Sequence, residues 1–289
     1  MESARICPWL DRSGRFSPLK AATLLGVTAP ALWIAWQAWM HLLGANPLTE
    51  AIHQSGTWVV RLLLVTLAIS PLRRIGGWPR LILVRRMVGV AAMAYVILHL
   101  TLYIASQNFD PVRVVTEIAL RFYLTIGFVA VAILIALGAT SFDAAIRRLG
   151  RRWNQLHRLV YLAALLGIVH FFLQSRLDVS EPVMMAGFFI WLMAFRLLDR
   201  AGGERPGPLR LAGLGLLAPI ATALIEAAWY FGRNGVSPRM VLEANLGLAL
   251  GPRPAVWVLL AAAVPPLLAA ARPLWERQRH RVRPARAAA

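Results

Sequence analysis

One apolar stretch, RRMVGVAAMAYVILHLTLYIA at residues 85–105, decides the fold class of this chain. After its leading arginines it continues to the end without a charged side chain, for about the length of helix that crosses a bilayer. It contains His99, and a second such stretch, LHRLVYLAALLGIVHFFLQ at 156–174, contains His170. An imidazole inside a membrane helix is costly unless it is paired or bound. Each histidine therefore indicates a functional site.

The rest of the chain repeats this apolar pattern, and 58% of its residues are hydrophobic. Stretches with the length and composition of transmembrane helices occupy residues 21–43, 56–72, 86–105, 122–140, 155–174, 182–198, 209–231 and 254–271. We therefore expect an all-α fold, a polytopic membrane bundle of about eight transmembrane helices. The N-terminal segment has no apolar core or cleavage site typical of a signal peptide, so we expect the first span to act as the insertion signal.

Basic residues are distributed unevenly between the two sides of this topology. Of the 31 lysines and arginines, 24 fall on the side of the termini and 6 on the other, and Arg61 lies inside the second span. The positive-inside rule then predicts that both termini are cytoplasmic. The net charge of +18 could also indicate nucleic-acid binding. Its even spread over the loops of one side favours topology, so we expect contact with membrane lipid and with no nucleic acid.

The topology places His99 and His170 at a similar depth, in the outer half of the membrane. Each lies about 13 residues, roughly 20 Å, from the cytoplasmic start of its span. Two neutral imidazoles that face each other across a bundle can form a bis-histidine site for haem b. Covalent attachment of haem is excluded because C-x-x-C-H is absent, and Cys7 is the only cysteine. An interhelical hydrogen bond from each histidine is the alternative, and the residues alone leave both interpretations open.

Three stretches carry a family resemblance: SGTWVVRLLLVTLAISPLRR (55–74), RRMVGVAAMAYVILHLTLYIASQNFD (85–110) and WNQLHRLVYLAALLGIVHFFLQSR (153–176). They resemble the MsrQ (YedZ) family, the membrane haem subunits of a periplasmic methionine sulfoxide reductase, within the ferric reductase-like transmembrane superfamily. The third stretch is the most specific, because a second histidine follows L-H-R-L-V-Y. The resemblance implies that His99 and His170 are the axial ligands of haem b and that His157 is a further family histidine.

The chain departs from the ferric reductases and NADPH oxidases that it otherwise resembles. Those proteins carry a second haem through a histidine about 13 residues before the outer one, where this chain has Arg85 and Arg86. Moreover, 13 residues rotate an ideal helix by about 220°, so His157 and His170 share a face only if the helix bends near Gly167. We therefore expect one haem.

The role of His157 stays open between three alternatives. It binds a weak second haem beside Arg85 or Arg86, contacts a flavin or quinone near the cytoplasmic surface, or hydrogen-bonds a helix end. The family is associated with FMN, whose phosphate would suit a basic rim, although the positive-inside rule explains that rim equally well. The rim comprises Arg73, Arg74, Arg85, Arg86, Arg152 and Arg158, and the candidate partners of the haem propionates are Arg61, Arg121 and Arg176.

The predicted organisation has four parts. Residues 1–20 form a cytoplasmic segment, 21–200 the ferric reductase-like haem-binding core, 201–271 a Gly/Pro-rich linker with an additional transmembrane hairpin, and 272–289 a basic cytoplasmic tail. The core is not followed by the flavin and nicotinamide module that an oxidase would carry. Electrons are therefore expected to come from, and go to, other molecules.

The predicted function is transmembrane electron transfer in a bacterial inner membrane. The resemblance implies a quinol or cytoplasmic flavin donor and, as acceptor, a periplasmic molybdenum-cofactor reductase of the MsrP type that repairs oxidised proteins. Two axial histidines leave no open position on the iron, so we expect this chain to have no catalytic residues of its own. The alternative is a transporter or assembly factor whose buried histidines bind a proton or another metal, although the internal repeats and broken helices typical of transporters are not evident.

Overall fold

The computed structural model describes residues 7–11, 13–175, 178–202, 205–247 and 251–282. This part of the chain is almost entirely helical, with one isolated β-bridge between Leu10 and Phe16. Its helices are α1 (Pro18–Trp39), α2 (Pro47–Gly76), α3 (Ile82–Ser106), α4 (Pro111–Leu120), α5 (Phe122–Ala139), α6 (Asp143–Leu149), α7 (Arg151–His157), α8 (Leu159–Gln174), α9 (Ser180–Gly202), α10 (Pro208–Asn234), α11 (Pro238–Leu246) and α12 (Pro254–Val282). A 3₁₀ turn, Pro79–Leu81, leads into α3.

Eight helical segments of the described chain are long and apolar enough to cross a membrane: α1, α2, α3, α5, α7 together with α8, α9, α10 and α12. The predicted all-α polytopic membrane fold is thereby confirmed, whereas the side on which each terminus lies stays a prediction. Some boundaries differ from those predicted. Helix α1 ends at Trp39 because the backbone at His41 turns into the left-handed region, with φ at 55°. Helix α2 begins at Pro47, since proline is well tolerated in the first turn of a helix.

Three short helices between the spans, α4, α6 and α11, are absent from the hydropathy prediction. Helix α4 begins where the Asp110 carboxylate accepts hydrogen bonds from the backbone N–H groups of Val112 (2.9 Å) and Arg113 (3.1 Å). This N-cap, followed by proline in the first turn, stabilises a helix that is too short and too polar to span. The chain then turns at Arg121, where the backbone is extended, and enters α5 directly.

The chain divides into two compact units. The first contains the described residues among 1–67 and 81–176, and the second those among 68–80 and 177–289, so α2 contributes to both. In the first unit, α3 packs against α1 and α5, and α5 packs against α4 and α8. Its interior includes Leu67, Ala92, Ala163 and Ala164, none of which is exposed.

A tyrosine joins α1 to α3 in the first unit. The Tyr95 hydroxyl donates a hydrogen bond to the Val27 carbonyl (2.9 Å) and accepts one from the Ala31 N–H (2.8 Å). Those two backbone groups, four residues apart, would normally bond to each other, and Pro30 lies in the turn between them. Insertion of a side-chain hydroxyl at a proline-distorted turn therefore satisfies both groups and fixes α3 against α1.

In the second unit, α9, α10 and α12 pack against one another and α11 packs mainly on α10. The Glu226 side chain of α10 is fully buried. Its carboxylate lies 2.5 Å from Nη2 of Arg253 and accepts a hydrogen bond from the Asn245 amide at 2.7 Å. A buried carboxylate is costly unless such partners satisfy it. Near the C-terminal end of α9, Asp199 forms an ion pair with Arg74, with 2.6 Å between Oδ1 and Nε.

Candidate functional site

His99, on α3, is held by the backbone of α2. Its Nδ1 lies 2.9 Å from the carbonyl oxygen of Ile52, and the hydroxyl of the buried Ser55 is 3.4 Å from the same nitrogen. The Ser55 hydroxyl itself donates to the Ile52 carbonyl at 2.9 Å. A carbonyl oxygen can only accept, so Nδ1 of His99 must carry the proton. In the neutral ring, the other nitrogen, Nε2, then carries the lone pair.

His170, on α8, is held in the same manner by α5. Its Nδ1 lies 2.7 Å from the carbonyl oxygen of Tyr123, which is the one hydrogen-bond partner of the ring among the residues that the structure describes. The ring also lies roughly parallel to that of Tyr123, with 6.3 Å between the ring centroids. The same reasoning places the proton on Nδ1 and the lone pair on Nε2. In histidines that ligate metals, the ring nitrogen that does not bind the metal typically donates a hydrogen bond, often to a backbone carbonyl.

The two rings lie next to each other. Their centroids are 6.5 Å apart and their planes are nearly perpendicular, at 84°. With about 2 Å from a metal ion to each ligating ring nitrogen, the centroids of two imidazoles on one ion lie roughly 6 Å apart. The pair therefore fits a single shared iron, as a bis-histidine haem requires. The assignment of both residues as axial ligands stays a prediction.

Each ring also lies against a glycine of the helix that supplies its carbonyl partner. A methyl carbon added at Gly56 on α2 would lie 2.9 Å from Cε1 and 3.0 Å from Nδ1 of His99. One added at Gly127 on α5 would lie 2.7 Å from Nδ1 and 2.8 Å from Cε1 of His170. Neither glycine has room for a side chain while the imidazole stays in place.

A buried hydroxyl lies one helical turn beyond His99 on α3. The Tyr103 hydroxyl is shielded from solvent and has no hydrogen-bond partner within the described chain. Charged groups of the following loop, Arg113, Glu117 and Arg121, are close enough to interact with it electrostatically. A buried unpaired hydroxyl is unfavourable, and this one could donate to a carboxylate such as a haem propionate.

The candidate propionate partners differ in their surroundings. Arg121 pairs with Glu117 at 2.5 Å and donates to the Tyr123 hydroxyl at 3.2 Å, which places it beside the residue that holds His170. The guanidinium of Arg61 lies over the Trp58 ring, 4.9 Å from its centroid. Arg176 falls outside the described residues.

His157 is not brought to the histidine pair by any described contact. It ends α7, its ring stacks on Trp153 with 3.9 Å between centroids, and its Nε2 is 3.2 Å from the Thr140 hydroxyl. Trp153 donates to the Thr140 carbonyl, so the three residues tie α7 to the end of α5. This agrees with the third alternative, a hydrogen bond at a helix end. Helix continuity is lost at Arg158, between α7 and α8, and Gly167 lies within α8.

Arg85 and Arg86 have contacts of their own. They stand where the ferric reductases that this chain resembles have a histidine for a second haem. Arg86 forms an ion pair with Asp143 and also approaches the carbonyl of Ser141. Arg85 lies near enough to His157 to interact with it electrostatically. No group of three or more His, Cys, Asp or Glu side chains able to hold a metal ion occurs in the part of the chain that the structure describes.

Several residues of this site have no recognisable signal in the sequence. The carbonyls of Ile52 and Tyr123 are invisible to any motif, because every residue carries one. Tyr103 looks like an ordinary interfacial aromatic residue. Gly56 and Gly127 resemble the glycines that commonly allow membrane helices to pack closely. What sets these glycines apart is that each follows, by four residues, the carbonyl that holds a histidine. The structure is needed to identify those two carbonyls.

Comparisons with known proteins identify the family of this chain. The family profile for the ferric reductase like transmembrane component matches residues 55–168, which include His99 and His157 and end two residues before His170. Three bacterial relatives are named protein-methionine-sulfoxide reductase heme-binding subunit MsrQ. The Azospira oryzae protein is 38% identical over 68% of this chain and 85% of its own length. The Rhodospirillum rubrum protein is 40% identical over 68% of this chain and 93% of its own length.

The third relative, from Caulobacter vibrioides, is 41% identical over 61% of this chain and 84% of its own length. No solved structure gives a significant match. Identity at this level over most of each relative's length, together with the matching family profile, shows common descent. This chain, whose described part contains eight candidate membrane spans, is therefore a member of the MsrQ family, within the ferric reductase-like transmembrane proteins.

Proposed function

We propose that this chain binds one haem b between His99 and His170 and carries electrons across a bacterial inner membrane to a periplasmic methionine sulfoxide reductase. The observation that carries the proposal is the histidine pair. The centroids of the two imidazole rings are 6.5 Å apart, and Nδ1 of each ring is hydrogen-bonded to a backbone carbonyl. The names of the relatives, which describe haem-binding subunits of such a reductase, support the same conclusion.

A haem held between the two histidines would supply one-electron redox chemistry with no open coordination position. The residues of the chain have distinct roles in this proposal. Ile52 and Tyr123 fix the proton on Nδ1 of each histidine, so that Nε2 is available as ligand. Tyr103 is the candidate donor to a propionate, and Arg121 the candidate cation beside it.

The orientation follows from charge. With 24 basic residues on the side of the termini, we place both termini in the cytoplasm. Spans α3 and α7–α8 then run outward, so that the histidine pair lies in the outer half of the membrane. That depth suits delivery of electrons to a periplasmic acceptor docked on the loops nearest the pair, which include α4.

The redox balance requires separate donor and acceptor molecules. Reduction of one methionine sulfoxide to methionine consumes two electrons and two protons and releases one water, so two single-electron transfers serve one repair event. A quinol supplies two electrons and two protons as it is oxidised to a quinone, and a cytoplasmic flavin donor can do the same. The acceptor in this proposal is a molybdenum-cofactor protein of the MsrP type, where the sulfoxide is bound and reduced.

FMN is a further candidate cofactor on the cytoplasmic side, where its phosphate would need arginines. Within the predicted basic rim, Arg74 already pairs with Asp199 and Arg86 with Asp143. Fewer rim arginines are therefore available for a phosphate than the sequence suggests. His157, stacked on Trp153, is held by the protein itself.

The decisive experiment is the visible spectrum of the purified protein, recorded as reduced minus oxidised. A sharp b-type difference spectrum, with one haem per chain by pyridine haemochrome assay, is the expected result. A correctly folded but colourless preparation would contradict the proposal. It would favour the alternative function, in which the buried histidines of a transporter or assembly factor bind a proton or another metal.

A further inference from the structure

His99 and His170 have the same kind of surroundings, a backbone carbonyl and a glycine on a neighbouring helix. On α2, the carbonyl that accepts from His99 belongs to Ile52, and the glycine against the ring is Gly56. On α5, the carbonyl that accepts from His170 belongs to Tyr123, and the glycine against the ring is Gly127. In both helices, the glycine follows the carbonyl by four residues. The repeat occurs on two helices with otherwise different sequences, IHQSG and YLTIG.

Helix geometry explains why the spacing is four. In an α-helix the side chain of residue i+4 leans toward the N-terminus and covers the turn that contains the carbonyl of residue i. That carbonyl already accepts the N–H of residue i+4, and its second lone pair is free only if nothing covers it. A glycine at i+4 uncovers the carbonyl and lets an imidazole from the neighbouring helix reach it.

We infer that Gly56 and Gly127 are a matched pair of positioning residues that set the orientation and the basicity of the two proposed haem ligands. This inference rests on the proposed haem site. A side chain at either glycine would push the imidazole off its carbonyl, because a methyl carbon would lie within 3.0 Å of at least two ring atoms. The histidine would then lose the hydrogen bond that makes Nε2 a stronger donor to the iron.

The expected consequence is measurable in the redox potential. A more basic axial ligand favours the oxidised iron, so loss of the carbonyl bond raises the midpoint potential. Gly56→Ala and Gly127→Ala should each lower bound haem at least threefold. In protein that retains haem, each should shift the midpoint upward and alter the low-spin g values in electron paramagnetic resonance.

Two other glycines provide matched controls. Gly167 lies on α8, three residues before His170, and an added methyl carbon would make only ordinary contact with Val60, at 3.7 Å. Gly138 on α5 would meet the Met93 side chain even more closely than Gly56 meets His99, but it lies 11 residues beyond Gly127 and contacts neither histidine of the pair. Gly167→Ala and Gly138→Ala should both keep the haem content, potential and g values of the unsubstituted protein.

A second type of variant tests the same bond without adding volume. The Ser55 hydroxyl shares the Ile52 carbonyl with His99 and lies at a long 3.4 Å from Nδ1. In Ser55→Ala the hydroxyl no longer competes with His99 for the second lone pair of the carbonyl, so the midpoint should shift downward, opposite to Gly56→Ala. If Gly56→Ala and Gly127→Ala fail to insert into the membrane, the direction of the shift in midpoint potential in Ser55→Ala decides whether the carbonyl bond tunes the ligand.

The outcomes separate this inference from the proposed function. A colourless unsubstituted protein would overturn both. A haem-loaded unsubstituted protein whose Gly56→Ala and Gly127→Ala variants keep its potential and g values would overturn only the role of the glycines. Equal haem loss in Gly138→Ala would also overturn it, because general packing damage would then explain the effect. An unchanged or raised potential in Ser55→Ala would count against it as well.

Discussion

The imidazole of His170 stands at 84° to that of His99, with 6.5 Å between the ring centroids. Two rings whose planes are perpendicular can still share one axis that runs through both of them. An ion on that axis could therefore bind one nitrogen of each ring, from opposite sides. Because α2 and α5 hold the two rings independently, through Ile52 and Tyr123, the arrangement does not depend on any direct bond between the histidines.

Replacement of either member of the pair should abolish the low-spin haem signal. His99→Ala and His170→Ala each remove one proposed axial ligand, whereas His157→Ala removes a ring that is stacked on Trp153 and bonded to Thr140. We expect His157→Ala to keep most of the signal, measured by visible and paramagnetic resonance spectroscopy at equal protein concentration. Retention of the low-spin signal in His99→Ala or His170→Ala would refute the ligand assignment.

Tyr103→Phe tests the buried hydroxyl of the residue four positions after His99 on α3, which has no hydrogen-bond partner within the described chain. If that hydroxyl donates to a haem propionate, its removal should cost about 1 kcal/mol, or roughly fivefold in haem retention during dilution. If it has no ligand, phenylalanine removes a buried unsatisfied group and should instead raise the thermal midpoint. Haem retention and thermal unfolding of the two proteins, recorded together, distinguish the two cases.

The single cysteine offers a direct test of orientation. Cys7 is partly exposed in the N-terminal segment, which we place in the cytoplasm. A membrane-impermeant maleimide should therefore label it in inverted vesicles but not in spheroplasts. As control, a Cys7→Ser protein with Val112→Cys on the exposed face of α4 should show the opposite pattern. Labelling of Cys7 in intact spheroplasts would reverse the proposed topology.

Charge reversal on α4 tests where the acceptor docks. Arg113→Glu, at an exposed position, should slow oxidation of the reduced haem protein by its acceptor, and the effect should weaken as salt screens the encounter. Arg121→Glu should in addition disturb the haem spectrum, because Arg121 contacts Tyr123. Stopped-flow absorbance provides the rates.

Arg239→Glu is the matched control, since Arg239 is also exposed and sits on α11, in another loop of the same predicted side. It should leave the rate unchanged. Slowing by Arg239→Glu with no effect of Arg113→Glu at low salt would place the docking surface on the α10–α12 loop instead.

The buried carboxylate of the second unit should contribute to stability but not to haem binding. Glu226→Ala removes the fully buried carboxylate that pairs with the partly exposed Arg253, and loss of this charged hydrogen bond costs on the order of 2 kcal/mol. We expect a lower thermal midpoint with an unchanged haem spectrum, because every residue of the proposed site lies in the first unit. The double variant Glu226→Leu with Arg253→Met should recover much of the stability. A haem spectrum altered by Glu226→Ala would link the two units functionally.

The sequence by itself determined the number and type of the spans and singled out His99 and His170. Both results follow from local properties: span length is matched to bilayer thickness, and an imidazole in an apolar run stands out against its own neighbours. The same locality explains the failures. Helices α4, α6 and α11 are too short for a hydropathy window, and α4 depends on the Asp110 cap, which a hydropathy average does not register.

Only the tertiary structure decided how the site is built. A sequence does not state the rotation of each helix about its axis, and it does not reveal the helix break at Arg158, between α7 and α8. The partners of the pair are backbone carbonyls, which every residue has, uncovered by glycines whose meaning depends on what packs against them. The tautomers of His99 and His170, and hence their availability to a metal, come from contacts between helices distant in the chain.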